Sequence, residues 1–144
     1  MKIKTTRFGE IDAPEGEIVT FPDGLVGLPG LKTFAALPHP GGGPFRWLQS
    51  VEEPALAWIV TDPAIFFPDY KVKVRAEDLA SIRLTDLAGS VVLVILSVSA
   101  ATKEVTANLQ GPLVLNLEAR LAKQLVLSEP GLSTRHAVAA AGAR

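Results

Sequence analysis

The sequence contains no cysteine and only two histidines, and these scarcities exclude several kinds of site. Without cysteine there is no disulfide framework and no thiolate chemistry, which is the usual condition in a reducing cytoplasm. His39 lies in a glycine- and proline-rich loop and His136 lies near the C-terminal end, and no H-E-x-x-H, EF-hand or G-x-S-x-G spacing occurs. We therefore expect no catalytic residue, no metal and no cofactor.

The chain also lacks an excess of positive charge and any long apolar run. Lysine and arginine number 14 against 15 acidic residues, so the surface offers no general attraction to a nucleic-acid backbone. The longest strictly apolar run that is typical of a strand, 91–96, has six residues, whereas a membrane helix needs ~20. The first residues, MKIKTTRFGEI, contain no apolar core of a secretory signal. These features predict a soluble, cytoplasmic protein without membrane or direct nucleic-acid contact.

What the chain does contain is a succession of short strand-like segments. Its 144 residues, 48% of them hydrophobic, can bury one core without disulfides or metal, and we predict a single domain over 1–136 with a frayed tail at 137–144. Helical spacing is confined to one turn at 31–34 and a short helix at 76–83. The fold class is therefore mostly β, a small antiparallel β-barrel or sandwich with one or two short helices. Strands are predicted at 2–6, 10–12, 17–21, 45–50, 55–61, 71–75, 91–99, 105–109, 113–117 and 121–127.

The rest of the chain is expected to pack around the stretch 44–70, because this stretch holds both tryptophans, three of the six phenylalanines and the only tyrosine. Its first half predicts a β-hairpin with a turn at 51–54. Pro63 and Pro68 then prevent a further strand and leave Phe66 and Phe67 in an apolar loop. The loop either folds back as a plug over one end of the core or protrudes to bind a partner. Burying each phenylalanine would contribute roughly 1.5–3 kcal/mol, which favours the plug.

Three polar residues, Thr106, Asn108 and Asn116, lie in or beside strands that are otherwise apolar. An unpaired buried amide costs about 1–3 kcal/mol, so each of them needs a hydrogen-bond partner. For Asn108 we expect neighbouring backbone at the Gly111–Pro112 irregularity, because asparagine commonly bonds backbone at bends.

Two other arrangements keep different functions open. Asp62 and Asp69 flank the phenylalanine loop and, with His136, would serve a small hydrolase or ligand binder, although both aspartates adjoin turns marked by proline. A strand at 71–75 would place its three cations on one face, where they are explained most simply as an exposed or edge-protecting row. Together with the two tryptophans they would form a weak RNA-binding surface. The cations are Lys71, Lys73 and Arg75.

Ordered blocks along nearly the whole chain carry a resemblance. They are TTRFGEI (5–11), IVTFPDGLVGLPGL (18–31), PFRWLQSVEEPALAWIVTDP (44–63), FFPDY (66–70), TANLQGPLVLN (106–116) and LSTRH (132–136). In this order they resemble the flagellar assembly factor family, FliW.

The resemblance implies a cytoplasmic bacterial protein that has no catalytic activity and binds two proteins in alternation. One partner is flagellin, held before export. The other is the carbon storage regulator CsrA, a small RNA-binding translational repressor. Accumulated flagellin would occupy the factor and leave CsrA free to repress flagellin synthesis, whereas export of flagellin would release the factor to sequester CsrA.

The resemblance also suggests where to look for the binding face. Proteins of the CsrA type are basic, so we expect an acidic patch that complements them, and 44–70 carries a local charge of −3. Aromatic residues are favoured at interface centres and would supply apolar anchors. The sequence departs from the acidity associated with the family at 39–44, which is neutral and glycine-rich, and this would weaken binding or make it more sensitive to salt. The candidate partner-binding residues are Glu52, Glu53, Asp62, Phe66, Phe67, Asp69 and Tyr70.

Overall fold

The computed structural model describes residues 1–38 and 43–138, which form eleven short strands, one short α-helix and three 3-10 turns. The α-helix, α1, spans Ala76–Leu79, and the 3-10 turns span Glu15–Glu17, Pro63–Ile65 and Ala80–Ile82. The strands are β1 Lys2–Thr5, β2 Gly9–Asp12, β3 Ile18–Thr20, β4 Thr33–Pro38, β5 Phe45–Ser50, β6 Ala57–Thr61, β7 Val91–Val98, β8 Val105–Ala107, β9 Leu113–Asn116, β10 Leu121–Gln124 and β11 His136–Ala137.

Seven of the strands close into a β-barrel. Antiparallel pairing runs from β3 through β4, β5 and β6 to β7, and the ring closes through β9 and β10, with β10 parallel to β3. Strand β7 is central, since its first residues pair with β9 and its last with β8, while β6 lies on its other edge. This confirms the fold class and the central position predicted for 91–99.

The barrel interior is filled unevenly. One end is packed by aromatic rings: Phe21 meets Phe34 edge to face at 5.3 Å, and Phe34 meets Trp58 at 5.9 Å. Leu25 closes this end and is 4% exposed. We call it the aromatic end. The opposite end, where β5 and β7 begin and β4 and β6 end, we call the mouth. There the inward-facing residues are aliphatic or charged, among them Ala36, Leu93 and Arg46, and no aromatic ring of the described residues lines the cavity at this end.

Three further apolar layers cover the outside of the barrel. The hairpin β1–β2 lies on β3 and β4 around buried Ile3 and Ala35. The helical segment with Leu79 and Ile82 covers Val114 of β9. The third layer packs the loop after β6, with β8 and Val138, against the outward face of β7. Most strands of the barrel are therefore covered, at least in part, on both faces, and strands of this kind do not show the simple alternation of a one-sided sheet.

Several predicted elements are confirmed. The hairpin of β5 and β6 pairs from Phe45 with Thr61 to Gln49 with Ala57. The first hairpin pairs Lys2 with Asp12. The helix predicted at 76–83 exists as α1 followed by a 3-10 turn. None of the helices among residues 1–38 and 43–138 is long and apolar enough to cross a membrane.

Three predictions need correction. The helical turn at 31–34 is wrong, because Thr33 already begins β4 and pairs with Thr20. The strand at 71–75 is also wrong: Val72 and Val74 pack inward as the alternation predicts, but no neighbouring strand pairs with them within the described residues. The frayed tail begins too early, since Ala137 belongs to β11 and Val138 is 3% exposed. The rest of that tail, 139–144, and residues 39–42 of the neutral loop lie outside the described residues.

Candidate functional site

The structure divides the predicted acidic face into two parts. Glu52 and Glu53 lie in the turn between β5 and β6, at the aromatic end of the barrel. Asp62 directly follows β6 at the mouth, and Asp69 lies further along the loop that packs over the outward face of β7. Strand β6 has five residues, which separates the two turn carboxylates from Asp62 by roughly 16 Å at about 3.3 Å per residue. The four carboxylates therefore do not form one patch.

Of the pair at the aromatic end, Glu52 is engaged within the protein. Its carboxylate oxygens accept hydrogen bonds from the backbone N–H of Lys32 at 3.1 Å and of Thr33 at 3.0 Å. These bonds hold the beginning of β4 against the hairpin turn. Glu53 is exposed; its backbone N–H donates to Ser50 Oγ at 3.0 Å, and its backbone carbonyl accepts from the N–H of Leu56 at 3.0 Å.

Of the two aspartates after β6, Asp62 caps the 3-10 turn that follows the strand. Its Oδ1 accepts from the backbone N–H of Ala64 at 2.9 Å, and Pro63 occupies the first position of the turn, as proline favours. Asp69 is exposed. The carboxylate of Asp69 is thus the more available of the two for a partner.

The loop 62–70, which we call the aromatic loop, folds back on the outer wall of the barrel. The ring of Phe66 stacks on Phe45 with centroids 5.9 Å apart, and Phe67 meets His136 edge to face at 5.1 Å. Both phenylalanines remain half-buried, and Ile65 beside them is 54% exposed. The loop covers the outward face of β7 instead of an end of the core, and it keeps an apolar surface toward solvent.

Tyr70 anchors the end of the aromatic loop. Its hydroxyl donates to the carbonyl oxygen of Leu109 at 2.6 Å, and its ring bridges two of the outer apolar layers. Burial raises the pKa of Tyr70 to about 12. The residue therefore holds the loop in place as a neutral phenol at physiological pH.

The three polar strand residues have different surroundings. Asn108 Oδ1 accepts from the backbone N–H of Gly111 at 2.9 Å. Asn116 is 8% exposed, and its amide donates to the carbonyl of Ile82 at 2.8 Å and accepts from the N–H of Ala119 at 3.2 Å. Thr106 is half-buried in β8, opposite Ser97 and Ala137. The two asparagines thus join β9 and its flanking turns to neighbouring backbone.

Neither of the other functions gains support from the geometry. Asp62 is used as a cap, and residues 1–38 and 43–138 contain no group of three or more histidine, aspartate or glutamate side chains that would hold a metal ion. Of the three cations, Lys73 forms an ion pair, with its Nζ 3.7 Å from Oε2 of Glu129. Arg75 pairs with Asp78, and its hydrogen bonds hold the pKa of that carboxyl below its ordinary value. Trp58 packs inside the barrel, and Trp47 packs against Phe8 and Arg7 in the turn of the first hairpin, so these contacts do not join the tryptophans to the three cations.

The structure shows one feature that sequence reasoning missed, a cavity of about 300 Å³ at the mouth. Arg46 reaches it because side chains two apart on a strand share a face, and Leu48 on that face lies in the barrel core. The signal in the sequence was therefore an arginine on the inward face of β5. The cavity, called the mouth cavity below, is lined by Gly16, Glu17, Val19, Ala36, Arg46, Val91, Leu93, Leu115 and Leu117.

Comparisons with known proteins agree along the whole described chain. A family model described as FliW protein matches residues 2–138. The flagellar assembly factor FliW of Natranaerobius thermophilus is 40% identical over 137 residues, which cover 94% of this chain and 91% of that protein. The protein of the same name from Geobacter sulfurreducens is 41% identical over 136 residues, covering 94% and 85%. A crystal structure of the flagellar assembly factor FliW superposes with a TM-score of 0.85 at 35% identity and 96% coverage of both chains.

Proposed function

This chain belongs to the FliW family, and on that basis we propose that it is a flagellar assembly factor that works by binding proteins and not by catalysis. In the cytoplasm it holds flagellin before export. When flagellin has been exported, the freed factor sequesters the translational repressor CsrA and so relieves repression of flagellin synthesis.

The observation that carries this proposal is the agreement of family, relatives and structure over one and the same barrel. The family match extends over residues 2–138, and the related crystal structure covers 96% of the chain. Matches of this extent include the barrel and all three outer layers, so the surfaces available to partners are built on the same scaffold.

The aromatic loop supports a protein-binding role. It presents exposed Ile65, half-buried Phe66 and Phe67, and the exposed carboxylate of Asp69 within a few residues. An apolar centre with charge at its edge is the usual composition of a protein interface. A basic partner such as CsrA would here bury apolar surface against the phenylalanines and pair a positive charge with the carboxylate of Asp69.

Calorimetric titration with purified CsrA, repeated after saturation with flagellin of the same organism, tests the proposal. We expect CsrA to bind tightly to the free protein and flagellin to abolish that binding. Absence of binding to both proteins at micromolar concentration would refute the proposal.

A pair of charge reversals locates the acidic contribution. Asp69→Lys should weaken CsrA binding about tenfold, because it places a like charge beside the apolar anchors, whereas Glu53→Lys at the aromatic end should change it little. Glu52 is unsuitable for this test, since its carboxylate holds the backbone of Lys32 and Thr33. The reverse ranking would move the CsrA site to the aromatic end.

A further inference from the structure

The mouth cavity is an unfilled part of the barrel interior. Its walls are inward-facing side chains of β3, β4, β7 and β9, among them Val19, Ala36 and Leu115. At the rim Leu117 is 53% exposed. Mouths of β-barrels are common ligand sites, and pockets that are mostly apolar with a few polar groups typically measure about 300 Å³ or more.

Arg46 and Glu17 bring one positive and one negative charge to this otherwise apolar cavity. The guanidinium of Arg46 carries five N–H donors, yet within the described residues it makes one hydrogen bond, from Nη2 to the carbonyl of Ala36 at 3.2 Å. The nearest carboxylate belongs to Glu17, 3.8 Å away, and both side chains remain partly exposed, at 44% and 34%. Arg46 therefore has donors left for an additional carboxylate.

We propose that the mouth cavity binds an apolar segment of flagellin that carries a carboxylate, with the apolar side chain entering the cavity and the carboxylate pairing with Arg46. The inference rests on the proposed function, since it takes flagellin as a partner. The Glu17 carboxylate already pairs with Arg46, whereas the guanidinium keeps unused donors, so an acidic segment fits this site better than a basic regulator does. Planar, bidentate recognition of a carboxylate is what a guanidinium provides.

The opposite signs of Arg46 and Glu17 give the first test. Arg46→Gln should weaken flagellin binding about tenfold or more, because a charge-assisted hydrogen bond is lost. Glu17→Gln should strengthen it about two- to fivefold, because it removes a competing carboxylate. If the two residues served only to stabilise the barrel through their ion pair, both changes would act in the same direction. Arg120→Gln is the matched control, since Arg120 pairs at 3.6 Å with Glu15, in the same 3-10 turn as Glu17, and does not line the cavity.

Filling the cavity gives the second test. Ala36→Phe places a ring in the space and should raise or preserve the melting temperature while reducing flagellin affinity at least about tenfold. If that variant does not fold, Leu117→Ser at the exposed rim removes apolar contact without disturbing the core. CsrA affinity of each variant, measured in parallel, reports whether the binding surface outside the mouth is intact.

Titration of soluble flagellin into each purified variant, followed by calorimetry, tests whether the mouth is the flagellin site. Weaker binding by Arg46→Gln and Ala36→Phe, with Arg120→Gln unaffected and Glu17→Gln tighter, supports the mouth as the flagellin site. Unchanged binding by Arg46→Gln and by the cavity variants overturns this inference alone. Failure of the unaltered protein to bind flagellin is a separate result, which removes both the proposed function's flagellin step and this inference.

Discussion

Among the described glycines, Gly24 has the least room for a side chain. It has φ of +69°, and a Cβ at this position would lie 2.5 Å from the carbonyl oxygen of Pro29. The loop that it allows closes through reciprocal backbone hydrogen bonds between Leu25 and Leu28. Leu25 can thereby cover the aromatic end of the barrel.

We expect Gly24→Ala to lower the free energy of unfolding by at least about 2 kcal/mol, since left-handed strain and a clash with backbone act together. Gly27 is the matched control, because it has φ of +80° but open space where a Cβ would be. Gly27→Ala should cost about 1 kcal/mol from strain alone. Urea denaturation of both variants measures the difference, and equal costs would contradict the clash.

Tyr70 makes stability depend on pH at the alkaline end. Its pKa is raised from 10.0 to about 12 by burial, so between these values the unfolded chain binds fewer protons than the folded one, and the free energy of unfolding falls as pH rises. The contribution is complete below pH 10 and is lost as pH increases toward 12. Tyr70→Phe should remove this dependence and, by deleting the bond to Leu109, cost about 1 kcal/mol at neutral pH.

Absorbance of the phenolate checks this prediction directly, because Tyr70 is the only tyrosine. Urea unfolding at several alkaline pH values, for the unaltered protein and for Tyr70→Phe, supplies the stability side. A phenolate midpoint near pH 10 in the folded protein would show that the hydroxyl is more exposed to water than the structure indicates.

At the scale of elements, sequence patterns predicted a strand or helix well where the partner is local. The hairpin of β5 and β6 was predictable, since two β-rich runs flank a short turn and need only each other. The segment 31–34 was not, because the Glu52 carboxylate, 20 residues away from Lys32, fixes where β4 begins. For 71–75 the alternation correctly indicates which side chains face inward, but alternation does not supply a neighbouring strand.

Hydrogen exchange should distinguish the 71–75 segment from a true strand. Within the described residues, none of the backbone N–H groups of Val72, Lys73 and Val74 donates a hydrogen bond, while the valine side chains pack on the outer layer around Leu79. We expect these amides to exchange rapidly, and the amides of β7, paired on both edges, to exchange at least about a hundredfold more slowly. Comparable protection would mean that the segment has found a hydrogen-bonding neighbour.

At the scale of the whole molecule, nearness in sequence was a poor guide to the site. Glu53 and Asp62 are nine positions apart, yet β6 carries them to opposite ends of the barrel. Conversely, Glu17, Arg46 and Leu117 are far apart in sequence and meet at the mouth because the barrel closes. Closure of the barrel depends on the parallel pairing of Leu121 with Thr20 and on the pairing of β7 with β9. No local sequence pattern predicts either pairing.

Under the proposed function, the two partner surfaces are the mouth and the aromatic loop, and these adjoin each other. Arg46 at the mouth directly follows Phe45, and the ring of Phe45 stacks on Phe66 of the aromatic loop at 5.9 Å. A standard interface covers about 800 Å² on each partner, which is roughly a tenth of the 8128 Å² surface of this protein. A partner bound at the mouth would therefore cover part of the aromatic loop as well.

Under the proposed function, flagellin and CsrA should compete by steric overlap. The apparent dissociation constant for CsrA should rise in proportion to the flagellin concentration without reaching a limit, because no ternary complex forms. A plateau would instead show that both partners bind at once with a finite coupling free energy. Titrations of CsrA at a series of flagellin concentrations distinguish competition from a ternary complex. For Arg46→Gln, a given rise in the apparent dissociation constant for CsrA should require a higher flagellin concentration. If the partners exclude each other sterically at one end of the barrel, the fraction of the protein available to CsrA would depend directly on the concentration of free flagellin. No conformational change would be required.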